Sequence, residues 1–271
     1  MYSVTGPYPV QGVAFFLTEP PAFAHFGKRH LPRRFGKALR RNGERRGMGK
    51  VVFIVAGGEL DPAFFREQVA MVSPAAVICA DGGAFHLGAA GIVPVLIIGD
   101  MDSLDARRQA DFEAKGCRII RHPQRKDETD TELALHEAFG MAPEEIRIWG
   151  ALGHRVDHIL ANLSLLVQGK QKGIEVKLID KWCEVFLIER RTVLEGEAGQ
   201  TVSFFPFGGA AAGVTLTGFE FSLTNAVMDI GRPYGVSNRL IAGRGIIEID
   251  SGRILAVRYF RPGIFPGEAR G

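Results

Sequence analysis

Between residues 51 and 180 the chain alternates short, wholly apolar runs with amphipathic stretches of helical period, and few folds accommodate that alternation. VVFIV (51–55), AAVICA (75–80), VLIIG (95–99), CRII (117–120) and IRIWG (146–150) are rich in Val and Ile and carry no alternating polar positions, as strands buried on both faces do. Between them, residues 62–72, 83–90, 106–115 and 131–139 read as helices, with Pro62 acceptable in a first helical turn. A further helix follows Gly153, with Ile159, Leu160, Leu163 and Leu166 on one face, and then a strand, VKLID (176–180). This spacing predicts an α/β fold, a doubly wound and mainly parallel sheet.

After Asp180 the grammar changes. CEVFLIE, RTVLEG, TVSFFPF, GVTLTGFEFSL, GIIEID and RILAVRYF are short alternating runs between Gly-bearing turns, which predicts a small all-β sandwich domain. The expected organisation is therefore an α/β domain over 48–180 and a β-sandwich over 181–271. Residues 1–47 show no sustained period and hold nine Lys and Arg against two acidic residues, a net +7, which leaves −4 for the rest of a chain whose total is +3. They read as a basic N-terminal extension, disordered or the product of a start placed upstream of Met48. A nucleic-acid or membrane arm and a transit peptide compete with that reading; the scarcity of serine weakens the transit peptide, no apolar core suggests secretion, and basic runs are usually only solvated, so no nucleic-acid partner is expected.

Composition excludes several classes. Three cysteines, Cys79, Cys117 and Cys183, cannot make a paired framework and none sits at CxxC spacing, so a reducing cytoplasm is expected. The longest uncharged stretch, 82–99, contains five Gly, a Pro and a His, and no membrane span is expected.

In a doubly wound sheet, ligands bind beyond the carboxyl ends of the strands. Asp81 follows the second apolar run, Asp100 and Asp102 the third, and Asp127 and Asp130 the loop after the fourth, so five carboxylates converge on one crevice. Such a cluster calls for a cation, and oxygen ligands select a hard one, Mg²⁺ or Mn²⁺. Each aspartate also has a plainer reading: Asp100 and Asp102 as caps of the helix near Asp105, and Asp130 as a first-turn residue of the capping box Thr129 to Glu132. Gly57-Gly58, Gly82-Gly83 and the turn GALGHR (150–155) bring backbone amides toward the same crevice, with Lys126 and Arg155 as cations for phosphate oxygens or, more plainly, as salt-bridge partners of the acidic cluster. Neither a Walker P-loop nor a dinucleotide fingerprint is present. His154 and His158 are four apart, but two imidazoles without an HExxH glutamate make a poor zinc site.

Taken in order, ADGGA (80–84), GDMDS (99–103), KDETD (126–130), GALGHRVDHILAN (150–162) and GVSN (235–238) resemble the motifs of the thiamine pyrophosphokinase family, over roughly 48–260. The resemblance implies a nucleotide domain followed by a β-sandwich, a homodimer with active sites between subunits, and Mg²⁺-dependent transfer of a pyrophosphoryl group from ATP to the hydroxyl of thiamine. It further implies Asp100, Asp102 and Asp130 as metal ligands, and Asp81 and Asp127 as supports of metal and nucleotide. Lys126 and Arg155 would contact phosphate, Gly82 and Gly83 would allow close approach of the nucleotide, and Asp157 would face thiamine. In the sandwich, Phe221 falls where an aromatic stacks on the thiamine ring, and Ser237 with Asn238 at the SN motif; from pattern alone Phe221 is equally a core residue. Three positions depart from the family's pattern: His154 stands for a glycine, Phe85 for an asparagine, and Arg239 for an acidic or polar residue. Asp157, His158 or an acidic metal ligand would accept the hydroxyl proton. Two other readings share these features: a pyrophosphokinase for another alcohol such as a hydroxymethyl pterin, and a non-catalytic nucleotide or thiamine sensor. A DxD glycosyltransferase, suggested by GDMDS, leaves KDETD and the second domain unexplained.

Overall fold

The apolar runs form strands because their β-branched side chains can be buried on both sides of a parallel sheet. They are β1 (Val51–Val55), β2 (Ala76–Ala80), β3 (Leu96–Gly99), β4 (Arg118–Arg121), β5 (Glu145–Trp149) and β6 (Glu175–Ile179). The helices between them are α1 (Pro62–Val72), α2 (Gly83–Ala90), α3 (Ala106–Ala114), α4 (Asp130–Gly140) and α5 (Val156–Lys172). The computed structural model describes residues 50–266; the expected basic extension at 1–47 lies outside the described residues.

Strands β6, β5, β1, β2, β3 and β4 lie side by side in that order and pair in parallel. The chain steps outward from β1 to β4, then crosses back to place β5 on the other side of β1, so the order reverses between β1 and β5. Alternate side chains of each strand face opposite ways. Phe53, Val55, Cys79 and Ile97 meet α1, α2 and α3 on one face, while Val52, Ile54, Ile78 and Ile98 meet α4 and α5 on the other. Trp149, at the end of β5, is fully buried with its ring 5.3 Å from both Phe53 and Phe65. Burial of each such ring contributes about 2–3 kcal/mol, and this cluster anchors the ends of β1 and β5 where the strand order reverses.

The remaining strands are β7 (Cys183–Ile188), β8 (Thr192–Glu195), β9 (Thr201–Pro206), β10 (Ala211–Thr217), β11 (Leu223–Met228), β12 (Asn238–Arg239), β13 (Arg244–Glu248) and β14 (Ile254–Tyr259). β7, β14, β9 and β12 extend the first sheet to ten strands with antiparallel pairing, and β11-β10-β13-β8 form a second sheet. Phe186, Phe204 and Ala256 from the long sheet pack against Val214, Leu216 and Ile247 from the short one, the core of the sandwich. Val185, Leu187 and Leu255 point the other way and join the core beneath α4 and α5. The fold is thus an α/β sheet followed by a β-sandwich. Pairing changes hand between β6 and β7 across a tight turn in which the Asp180 carboxylate accepts the N–H groups of Trp182 (2.7 Å) and Cys183 (2.8 Å), and the sheet itself is unbroken. Among the described residues no helix is long and apolar enough to cross a membrane, and Cys79, Cys117 and Cys183 are buried and free.

Candidate active site

The turns after β1 and β5 are locked backbone to backbone. Ala56 donates its N–H to the carbonyl of Trp149 (2.8 Å) and Gly58 to that of Gly150 (2.9 Å). A Cβ on Gly58 would stand 2.3 Å from the Gly150 oxygen, so only glycine permits this approach. Beside the locked turns opens a cleft of about 640 Å³, within the range of small-ligand sites and at the place where strand order reverses. Its walls come from the ends of β1, β2 and β5 and the starts of α4 and α5, and include Gly58, Asp81, Gly82, Asp130 and Arg155. Three helices carry side-chain caps: Asp61 on α1, Asp105 on α3 and Thr129 on α4. α2 and α5 carry none, and both begin at the cleft. In α2 the N–H groups of Ala84 and Phe85 already donate to the carbonyls of Asp81 (3.0 Å) and Gly82 (3.3 Å), so what the two starts offer an anion is chiefly their positive dipole ends.

The carboxylates gather opposite. Oxygens of Asp81, Asp100 and Asp102 all lie within 4.8 Å of one another. Asp81 has a positive φ of 32°, a strained conformation for a non-glycine residue. Its Oδ2 accepts the Ser103 hydroxyl at 2.6 Å, and its Oδ1 is buried with no partner. Burial pushes its carboxyl above the ordinary range; the Ser103 hydrogen bond opposes this, and the charges of Asp130, Asp100 and Asp102 raise it further. A Cβ on Gly99 would come 2.7 Å from that of Asp81, which is what lets β3 pass so close. An orphaned buried oxygen in an all-oxygen set of like charges suits a hard divalent cation.

The expected ligand trio was Asp100, Asp102 and Asp130. The tightest trio contains Asp81 instead, and Asp130 meets Lys126 Nζ at 2.5 Å while its carboxyl carbon stays 3.3 Å from the Gly99 Cβ position. The capping alternative fails for Asp100 and Asp102 but holds for Asp130, which stands in the first turn of α4 behind its Thr129 cap. Asp105, not Asp100 or Asp102, accepts the Arg108 N–H at the start of α3, and Thr129 accepts that of Glu132, leaving the Asp130 side chain to Lys126. Asp127 is exposed and does not line the cleft.

At the other rim Arg155 lines the cleft and is hydrogen-bonded to Asp157, with Nε 3.2 Å from Oδ1. That contact holds the exposed Asp157 carboxyl below its ordinary range. Asp157 itself does not line the cleft, whereas His158 does. His154 Nε2 lies 3.5 Å from the Glu59 carboxylate, and among the described residues the aspartate trio is the sole metal-like group of acids, cysteines and histidines.

The sandwich residues form a separate group. Phe221 is 60% exposed, which removes the core reading. Asn238 is only 2% exposed; its Oδ1 accepts the Phe221 N–H at 2.9 Å and its Nδ2 donates to the Phe221 carbonyl at 2.8 Å. Ser237 has a φ of 57° and donates its N–H to the Ser203 hydroxyl. Asn238 thus holds the backbone that presents Phe221. None of these three lines the cleft of the same chain.

Two family models match in tandem: one described as the catalytic domain of thiamin pyrophosphokinase over residues 70–178, the other as its vitamin B1 binding domain over 189–254. Thiamine pyrophosphokinase of Bacillus subtilis is 34% identical over 180 residues, covering 66% of this chain and 84% of the relative. The chain belongs to the thiamine pyrophosphokinase family. A crystal structure of thiamine pyrophosphokinase from Bacillus subtilis superposes with a TM-score of 0.70 at 31% identity, covering 78% of this chain and all of that one. One from Geobacillus thermodenitrificans gives 0.68 at 26%, covering 79% and 100%. This thiamine pyrophosphokinase family member fills its departures with local partners: His154 faces Glu59, Arg239 lies 3.6 Å from Glu220, and exposed Phe85 lies under the Arg108 guanidinium at 5.7 Å. Sequence reasoning passed over Ser103, Glu59 and His86, although Ser103 closes the GDMDS motif and was there to be read.

Proposed function

We propose that this protein transfers the pyrophosphoryl group of ATP to the hydroxyl of thiamine, giving thiamine diphosphate and AMP. The observation that carries the reading is the convergence of Asp81, Asp100 and Asp102 with the two uncapped helix starts in one cleft at the sheet's reversal point. We assign ATP and Mg²⁺ to residues 48–180 and thiamine to 181–271. Asp81, Asp100 and Asp102 would hold Mg²⁺, with Asp130 joining when Lys126 turns to phosphate. When bound, the cation neutralises phosphate oxygens and holds the phosphorus in line with the hydroxyl.

The chain's own residues do the rest. The positive ends of α2 and α5 attract phosphate, Gly82 and Gly83 allow its close approach, and Lys126 and Arg155 balance the charge that spreads over the transferring group. Asp127, exposed and beyond the cleft wall, is given no contact with metal or nucleotide. Asp157 is hydrogen-bonded to Arg155 and stands off the cleft wall, whereas His158 lines it, so we assign the hydroxyl proton to His158.

Thiamine would stack on Phe221, with Ser237 beside it and Asn238 fixing the backbone behind it. We place that ring against the cleft of a second copy, in a homodimer. The reading is supported by the exposed apolar side chains of Val227, Ile230, Tyr234, Val236 and Ile241 that flank the Phe221 and Ser237 segments. Three free, buried cysteines accord with the cytoplasm. The test is incubation of the purified protein with ATP, Mg²⁺ and thiamine, reading AMP and thiamine diphosphate. Product with a hydroxymethyl pterin but none with thiamine would overturn the substrate assignment, and no AMP with either would overturn the enzyme.

A further inference from the structure

We propose that His86 is a positioning residue for the nucleotide, aiming a backbone N–H of the turn after β1 at its phosphates. The proposal rests on the nucleotide reading above. His86 lies in the first turn of α2, partly buried, with Nε2 2.6 Å from the carbonyl oxygen of Gly58. A carbonyl oxygen only accepts, so Nε2 carries the proton and donates it. Gly58 in turn donates its N–H to the Gly150 carbonyl. Two hydrogen bonds through one residue therefore join α2, the turn after β1 and the turn after β5, the three segments around the cleft.

The consequence lies in the next peptide unit. In a trans peptide the C=O and N–H point to opposite sides, and no peptide bond among the described residues is cis. With the Gly58 carbonyl held toward His86, the Glu59 N–H faces away from α2. Its nitrogen is 3.2 Å from the position a Cβ on Gly153 would take; both Glu59 and Gly153 line the cleft, and the Glu59 N–H has no hydrogen-bond partner among the described residues. A glycine pair has no side chain with which to brace such a turn, and a Cβ on Gly58 is excluded by the Gly150 oxygen, so the brace has to come from another element. His86 is that brace. The ligand it serves is an anionic phosphate oxygen, the acceptor that a free amide at such a turn takes.

The test compares wild type with His86→Ala, His86→Gln and His86→Asn, in the full chain. Three readouts are taken: binding of a non-hydrolysable ATP analogue with Mg²⁺, kcat and KM for ATP and for thiamine, and the melting temperature without ligand. His86→Ala is expected to weaken analogue binding and raise the ATP KM about five- to tenfold, the worth of one hydrogen bond, with the thiamine KM unchanged. Glutamine places an amide N–H near the Nε2 position and is expected to restore ATP binding, whereas the shorter asparagine is not. Unchanged analogue binding in His86→Ala, or glutamine no better than asparagine, overturns the proposal. So does a parallel rise of both KM values with a fallen melting temperature, the mark of a packing role. Should His86→Ala not fold, the contrast of glutamine with asparagine decides. Wild type that binds no analogue overturns the nucleotide reading itself, a result distinct from wild type that binds and variants that do not differ.

Discussion

Asp81 concentrates the electrostatics of the cleft in one side chain: a strained backbone, one oxygen tied to Ser103, the other buried without a partner, and three carboxylates around it. A group in that position opposes folding until a cation arrives. Asp81→Asn should therefore melt higher than wild type in EDTA at neutral pH, and should lose the upward shift that Mg²⁺ gives wild type; thermal melts with and without the metal check both, and a lower melting point in EDTA counts against the repulsion argument. Asp100 holds the neighbouring N–H of Asp102 at 3.1 Å and caps no helix, so its charge is free for a ligand. Asp100→Asn should lower kcat by about 10²–10³-fold, the scale of losing one element of charge stabilisation at the transferring group, here through the cation it would hold, with an unchanged circular dichroism spectrum. Full activity in that variant would refute the metal assignment.

At the scale of elements, each helix start has a defined job. Asp61 accepts the N–H groups of Ala63 (3.0 Å) and Phe64 (3.1 Å), and the Phe64 bond is the main reason its carboxyl titrates below the ordinary range. Replacing it with alanine should cost about 1 kcal/mol in urea denaturation at pH 7. A carboxyl whose folded pKa is lowered stabilises above its unfolded value of about 4 and loses that contribution as pH falls through the folded value. The difference between wild type and Asp61→Ala should accordingly be complete at pH 7 and shrink below about pH 4. Among strands, β12 is only two residues long, yet Asn238 in it satisfies both backbone groups of Phe221. Asn238→Ala leaves both without that partner, at about 1–3 kcal/mol. Steady-state kinetics should show the thiamine KM rising more than the ATP KM.

For the whole molecule, the separation of Phe221 from the cleft within one chain makes the dimer the decisive question. Asp100→Asn and Phe221→Ala chains should each be nearly inactive alone. Random mixing after unfolding and refolding should restore roughly a quarter of wild-type activity, because half the dimers are mixed and one of their two sites takes an intact residue from each copy. No recovery would place both residues in a site made by one chain.

The alternation of elements was legible in the chain because hydrophobic period is a local property: α1 to α4 and the strands of the parallel sheet fall within a residue or two of the expected bounds, and α5 follows Gly153 as expected. The convergence of strand-end aspartates was legible too, since parallel strands send their carboxyl ends to one side. What only the tertiary structure decided is which groups meet. Strand order places β1 between β5 and β2, and that adjacency brings Gly58 against Gly150 and His86 against Gly58, pairs separated by 92 and 28 residues of chain. It was close packing that put Asp81 rather than Asp130 in the tightest trio, left capping of α3 to Asp105, and carried one sheet unbroken from the α/β half into the sandwich. Sequence period specifies which face of an element is buried; the partner across that face depends on non-local order, and no local pattern encodes it.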